Sequence, residues 1–143
     1  MLVHGTCIEL DGVGILFRGP SGSGKSDLAL RLIDSCGAQL VADDQVDLES
    51  HDQRLIARAL ERLAGLMEVR GVGIVPVDHA ASARLALIAD LCAPEEIERL
   101  PEPRREMLAG VELPALHLCA HEPSATAKVR AALALHRPQA DRR

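Results

Sequence analysis

The sequence predicts an α/β fold: a single domain with a mixed central β-sheet flanked by helices. Three observations carry that expectation. The 143 residues suffice for one domain of ordinary size and not for two. Short β-compatible runs alternate with helical patterns along the chain. Some of those runs are joined by turns too short for a helical crossover, so antiparallel pairs must stand among parallel strands.

Residues 2–10 and 13–18 are apolar-rich strands, and Asp11-Gly12 between them is a two-residue hairpin turn. A glycine-rich turn follows, then KSDLALRLIDSC, whose Leu28, Leu32 and Ile33 recur at helical spacing; Gly37 is a natural stop. Residues 39–42 form a short strand ending in Asp43-Asp44. Residues 45–59 alternate around a polar turn at His51-Asp52-Gln53 and make a second hairpin. Residues 66–77, punctuated by Gly71 and Gly73, are a strand or a tight loop. Residues 83–91 are a buried strand, 94–100 a short acidic helix opened by Pro94, and 113–119 a strand. Residues 124–135 are an Ala-rich helix capped by a serine or proline. The domain is expected to span residues 1–137, with a frayed polar tail over 138–143.

Composition excludes several functions. The net charge is −5, and the only aromatic residue is Phe17, so the base-stacking platforms and basic faces of nucleic-acid binders are missing. No segment approaches the roughly 20 apolar residues of a membrane span. Cys7, Cys36, Cys92 and Cys119 are widely spaced, which predicts reduced thiols and a cytoplasmic protein without a signal peptide. Any handling of phosphate must therefore be local.

The local device is Gly19-Pro20-Ser21-Gly22-Ser23-Gly24-Lys25-Ser26, a full G-x-x-x-x-G-K-[ST] motif between a strand and a helix. Glycines let backbone N–H groups curl around phosphate oxygens, and the helix start adds unpaired donors. Lys25 would neutralise the β and γ phosphates, and the Ser26 hydroxyl would join Mg²⁺. The motif predicts a P-loop domain that binds a nucleotide such as ATP with Mg²⁺, and does not name the acceptor. Asp43-Asp44 should lie at a neighbouring strand's carboxyl end, facing the same crevice. One carboxylate could hold magnesium and the other accept a hydroxyl proton; a merely solvated turn pair is the alternative.

His4-Gly5, the P-loop, VADDQV and MEVRGVGIV together resemble the bacterial HPr kinase/phosphorylases. These phosphorylate a serine of HPr, a phosphocarrier of the sugar phosphotransferase system, and can remove that phosphate by phosphorolysis. EVRGVGI is similar to the family signature E-I-R-G-L-G-I, and the order of His, Lys and the Asp pair matches, with one extra residue between Lys25 and Asp44. The resemblance is strong over residues 4–76 and weak beyond. It implies that Asp44 is the general base, with His4 beside it once the first strand lies next to the P-loop strand. It also implies that Asp43 supports that base or the metal, that Glu68 shares Mg²⁺ with Ser26, and that Arg70 belongs to the signature. Arg99, in ERLP, is the counterpart of a late family arginine. The family's P-G-R-N stretch has no clear copy, EPSATAKVR from Glu122 being the nearest, so kinase activity is the firmer inheritance and phosphorylase activity is left open. Full-length members carry a further N-terminal domain; this chain resembles a short form with the catalytic domain alone. The resemblance implies an HPr-type protein substrate and a homo-oligomer, a hexamer.

Two other readings remain at this point: a nucleotide-sensing module without catalysis, and a small-molecule P-loop kinase. His117, Cys119 and His121 alternate on one strand and could suit a metal, but no fourth ligand is evident, so they are read as polar surface. The charged stretch from Glu95 to Glu106 is read as a solvated helix and a candidate contact face.

Overall fold

The computed structural model describes residues 1–138; apart from Pro138, the expected tail lies outside the described residues. The elements are β1 (Leu2–His4), β2 (Thr6–Leu10), β3 (Val13–Arg18), α1 (Lys25–Cys36), β4 (Gln39–Ala42), β5 (Gln45–His51), β6 (Arg54–Arg58), β7 (Leu66–Val69), β8 (Gly73–Pro76), β9 (Ala83–Leu91), β10 (Arg104–Leu108), β11 (Val111–Leu118) and α2 (Ala125–His136). Nine strands make one mixed sheet with the path β1-β5-β6-β9-β3-β2-β4; β11 also joins β9, and β10 joins β11. β9 is the branch point. Its start pairs with β6 through Arg84 and Ala83, its end with β11 through Ile88 to Leu91, and the sheet curls there.

β3 and β9 run parallel, as do β9 and β11, and two antiparallel steps through β2 bring β4 into the same direction. The carboxyl ends of β3, β4, β9 and β11 therefore open on one edge, and that edge carries the site.

Both helices cover one face. Val13, Ile15 and Phe17 of β3 meet Leu28 and Leu32 of α1 and Val129 and Leu133 of α2 in one core. Leu16 points the other way, into a second core closed by Leu48, Leu55, Leu113 and Ala115. Burial on both faces explains why β3 reads as a continuous apolar run. Each such large side chain contributes about 2 kcal/mol on leaving water. Gly37 ends α1 in the left-handed region, φ 74°, as expected. Asp11 and Gly12 both have positive φ, 52° and 89°, the backbone of a type I′ hairpin.

Four local expectations are corrected. Residues 2–10 are not one strand: a Cβ on Gly5 would lie 2.8 Å from the Phe17 carbonyl oxygen, so the chain crosses close over β3 there. Its first half leaves for β5, with His4 opposite Gln45. Residues 94–100 form only a short 3₁₀ turn, Pro94–Glu96; Pro101 disfavours helical backbone at Leu100, which is 84% exposed and anchors nothing. Arg104 to Glu106, read as helix, lie in β10. Ser124 occupies the cap position of α2, but with φ −84° and ψ 3° its backbone is not extended and its hydroxyl caps no N–H. Residues 66–77, for which the sequence allows a strand or a tight loop, form the β7–β8 hairpin.

Candidate functional site

The glycine turn joins β3 to α1. Gly24 precedes the helix at φ 93° with no side-chain cap, so the first-turn N–H groups face the loop undonated to any capping side chain. Gly22 has φ 85° and open space where a side chain would stand, while the Ser23 hydroxyl is buried with no partner. A glycine loop at an uncapped helix start, with an orphaned hydroxyl within it, suits a polyanion. The Lys25 ammonium folds over it, donating to the carbonyls of Gly19 at 2.6 Å and Pro20 at 3.2 Å.

The end of β4 supplies the carboxylates. Asp43 Oδ1 accepts from the Ser26 hydroxyl at 2.8 Å and from the Thr6 hydroxyl at 2.9 Å. Thr6 is the fully enclosed start of β2, so a rigid strand holds the carboxylate against the first turn of α1. Ser26 and Asp43 are hard oxygen donors, and no group of three or more Asp, Glu, His or Cys that could hold a metal stands among the described residues. That donor set fits an ion such as Mg²⁺, which takes one or two protein oxygens and fills its shell with water and phosphate.

Asp44 follows in the left-handed region, φ 70°, and is exposed. Its carbonyl accepts from the Gly5 N–H at 3.1 Å, and the β1–β5 register sets His4 opposite Gln45. His4 thus reaches the neighbourhood of Asp44 by a different route from the one expected: β1 pairs with β5, and it is β2, not β1, that lies beside the P-loop strand. The Gly5 break makes that route, because it frees three residues from β2.

Glu68 and Arg70 stand on the β7–β8 hairpin, which Met67 anchors in the core and whose first strand packs on α1. Both are exposed, and neither makes a side-chain hydrogen bond or ion pair that joins it to Ser26 or Asp43. Arg99 is exposed in the β9–β10 connection, on the same edge as the P-loop but not bonded to it.

Two features escaped the sequence reading. The turn 119–124, after β11, lies against the P-loop: His121 Nε2 donates to the Gly22 carbonyl at 3.3 Å, and Ala120 fills the space a Cβ on Gly24 would need. Parallel pairing of β11 on β9 would have signalled it, but no local pattern does. The second is an ionic cluster beneath the loop. Arg18 grips Asp90 at 2.7 and 3.0 Å and Glu106 at 2.6 and 2.7 Å, and Arg104 adds a bond to Asp90 at 2.6 Å. Burial pushes the Asp90 carboxyl up, but the hydrogen bonds from Arg18 and Arg104 outweigh it and hold Asp90 below the usual carboxylate range. The bond from Arg18 likewise lowers Glu106, and both carboxylates raise Arg18.

Residues 1–129 match the family model described as the HPr Serine kinase C-terminal domain. The chain belongs to that family. Among curated members, the HPr kinase/phosphorylase of Clostridium beijerinckii is 47% identical over 75 residues, 52% of this chain and 24% of that protein. The HPr kinase/phosphorylase of Streptococcus thermophilus is 37% identical over 128 residues, 81% of this chain and 41% of that protein. The chain thus spans less than half the length of these curated relatives. A solved structure, described as the HPr(Ser) kinase/phosphatase from Coxiella burnetii, superposes with a TM-score of 0.85 at 26% identity and covers 96% of each chain. Among the described residues of this family member, no helix is long and apolar enough to cross a membrane.

Proposed function

We propose that this chain is a P-loop kinase, active in the cytoplasm, that transfers the γ-phosphoryl group of ATP to a serine of an HPr-type phosphocarrier protein, with residues 1–137 as one catalytic unit. One observation carries the reading: Asp43 is locked to Ser26 and Thr6 beside Lys25, while the next carboxylate, Asp44, is exposed next to the strand that bears His4. Family membership and the names of the relatives support the substrate class.

The P-loop from Gly19 to Ser26 would hold the phosphates, with Lys25 neutralising the β and γ groups. Ser26 and Asp43 would hold Mg²⁺, with Glu68 joining from the β7–β8 hairpin; the ion, when bound, neutralises phosphate charge. Asp44 takes the proton of the attacking serine hydroxyl, whose oxygen forms the new bond to the γ-phosphorus as the bond to the bridging β–γ oxygen breaks and ADP leaves. His4 orients that carboxylate, and Arg99 closes on the transferring group. Phosphorolysis, if the chain performs it, would use the same residues: an oxygen of inorganic phosphate bonds to the phosphoserine phosphorus to form pyrophosphate, the bond from that phosphorus to the serine oxygen breaks, and Asp44 returns the proton to that oxygen. By family resemblance the working form is a homo-oligomer, a hexamer.

Substituting Asp44→Asn tests the assignment. Turnover is expected to fall by about 10²–10⁴, the usual range for a general base, while ATP still binds. Unchanged turnover would remove Asp44 from the chemistry. An output that depends on ATP binding alone and survives the substitution would favour a sensing module.

A further inference from the structure

Along the carboxyl edge the strands stand in the order β4-β2-β3-β9-β11, so β4 and β11 flank the P-loop strand on opposite sides. Asp43, Asp44 and His4 lie on the β4 side. A nucleoside triphosphate is extended, with its reactive phosphate at one end and its base at the other. If the γ end points to Asp44, the nucleoside leaves the loop towards the end of β11.

The turn 119–124 stands there, pressed on the loop. His121 Cε1 lies 3.2 Å from the position of a Cβ on Gly24, its Nε2 donates to the Gly22 carbonyl, and the residue is exposed to solvent. The turn is fastened from two helices: Arg31 of α1 donates to the Ala120 carbonyl, and Lys128 of α2 bonds Glu122 at 2.9 Å. Composition narrows the choice further. The chain has no Trp or Tyr, and its one Phe is fully buried. A flat side chain that stacks on a base must be a histidine or an arginine, and His121 is the ring that rests on the P-loop.

We propose that the turn 119–124 is the nucleobase subsite, with the exposed face of the His121 imidazole stacking on the base of the bound nucleoside triphosphate. This rests on the reading of the glycine loop as a nucleotide cradle. His121 is a specificity-determining residue: it favours a nucleotide over a bare polyphosphate and takes no part in the transfer.

The test is calorimetric titration of ATP and of inorganic tripolyphosphate into the wild-type chain, His121→Ala, His121→Phe and Lys25→Ala. His121→Ala should weaken ATP about tenfold, the scale of one lost base stack, and change tripolyphosphate by less than about twofold. His121→Phe, which stacks but cannot donate to Gly22, should restore ATP binding. Lys25→Ala should weaken both ligands. Equal loss of both ligands in His121→Ala would show that the histidine only shapes the loop and would overturn the subsite; so would no loss of either. A wild-type chain that binds neither ligand would overturn the cradle itself, and the subsite with it.

Discussion

Replacing Arg18 with methionine removes the hub of the ionic cluster while keeping much of its aliphatic bulk. Four hydrogen bonds between 2.6 and 3.0 Å are lost, and Glu106 and Asp90 are left facing each other with only Arg104 on Asp90. The side chains of Arg18, Asp90 and Glu106 are 27%, 21% and 31% exposed, so solvent screens part of the interaction. A net loss of about 2–3 kcal/mol lies between an exposed pair and a buried one. For a domain this size each kcal/mol moves Tm by about 3 °C, which gives a fall of about 6–9 °C at pH 7. The sign with pH follows from the carboxylates. Both are held below their ordinary values in the fold, so their stabilisation is complete above the unfolded values of about 4 and fades as pH falls through the folded ones. Arg18 stays charged throughout. Thermal melts of both proteins from pH 7 to pH 3 should therefore show the gap closing below about pH 4. A gap under about 2 °C at pH 7, or one undiminished at pH 3, would refute the reasoning.

Three further outcomes follow from the same geometry. Gly24→Ala puts a Cβ 2.8 Å from that of Ala120 at φ 93°, and should cost about 2–3 kcal/mol in urea unfolding as well as nucleotide binding in titration. Gly5→Ala meets the Phe17 carbonyl at 2.8 Å, so β1 should shift from its place beside β5; amide exchange across the pairs Val3–Val46 and His4–Gln45 should quicken, and phosphoryl transfer should fall more than ATP affinity. Burial pushes the Cys7 thiol up to about 12, and Cys119 is buried as well. A thiol reagent at pH 8 should label Cys36 and Cys92 in the native protein, and Cys7 and Cys119 only on unfolding.

What could be read from the chain was what local chemistry writes down. The glycine spacing of residues 19–26 marks a loop between strand and helix, where β3 and α1 frame it, and Asp11-Gly12 names a hairpin because both residues tolerate positive φ. β10 was lost for the opposite reason. Its alternation is ionic, with Arg104 and Glu106 meeting Asp90 and Arg18, and its turn opens with Ala109 at φ 49°, a residue that advertises no left-handed backbone. The pairing of β1 with β5 and the seating of the turn 119–124 on the P-loop depend on strands distant in sequence, so no window of residues holds them. Resemblance alone marks His4, and its pairing opposite Gln45 is a product of the break at Gly5. No local pattern marks His121 as more than polar surface, because only the pairing of β11 on β9 brings it beside the loop.

Phosphoryl transfer from γ-labelled Mg-ATP to a purified HPr-type carrier, with and without its acceptor serine, is the most direct measurement. Label on the carrier that disappears with the serine is the predicted result. ATP bound tightly, with no label on either carrier, would contradict a protein-kinase function.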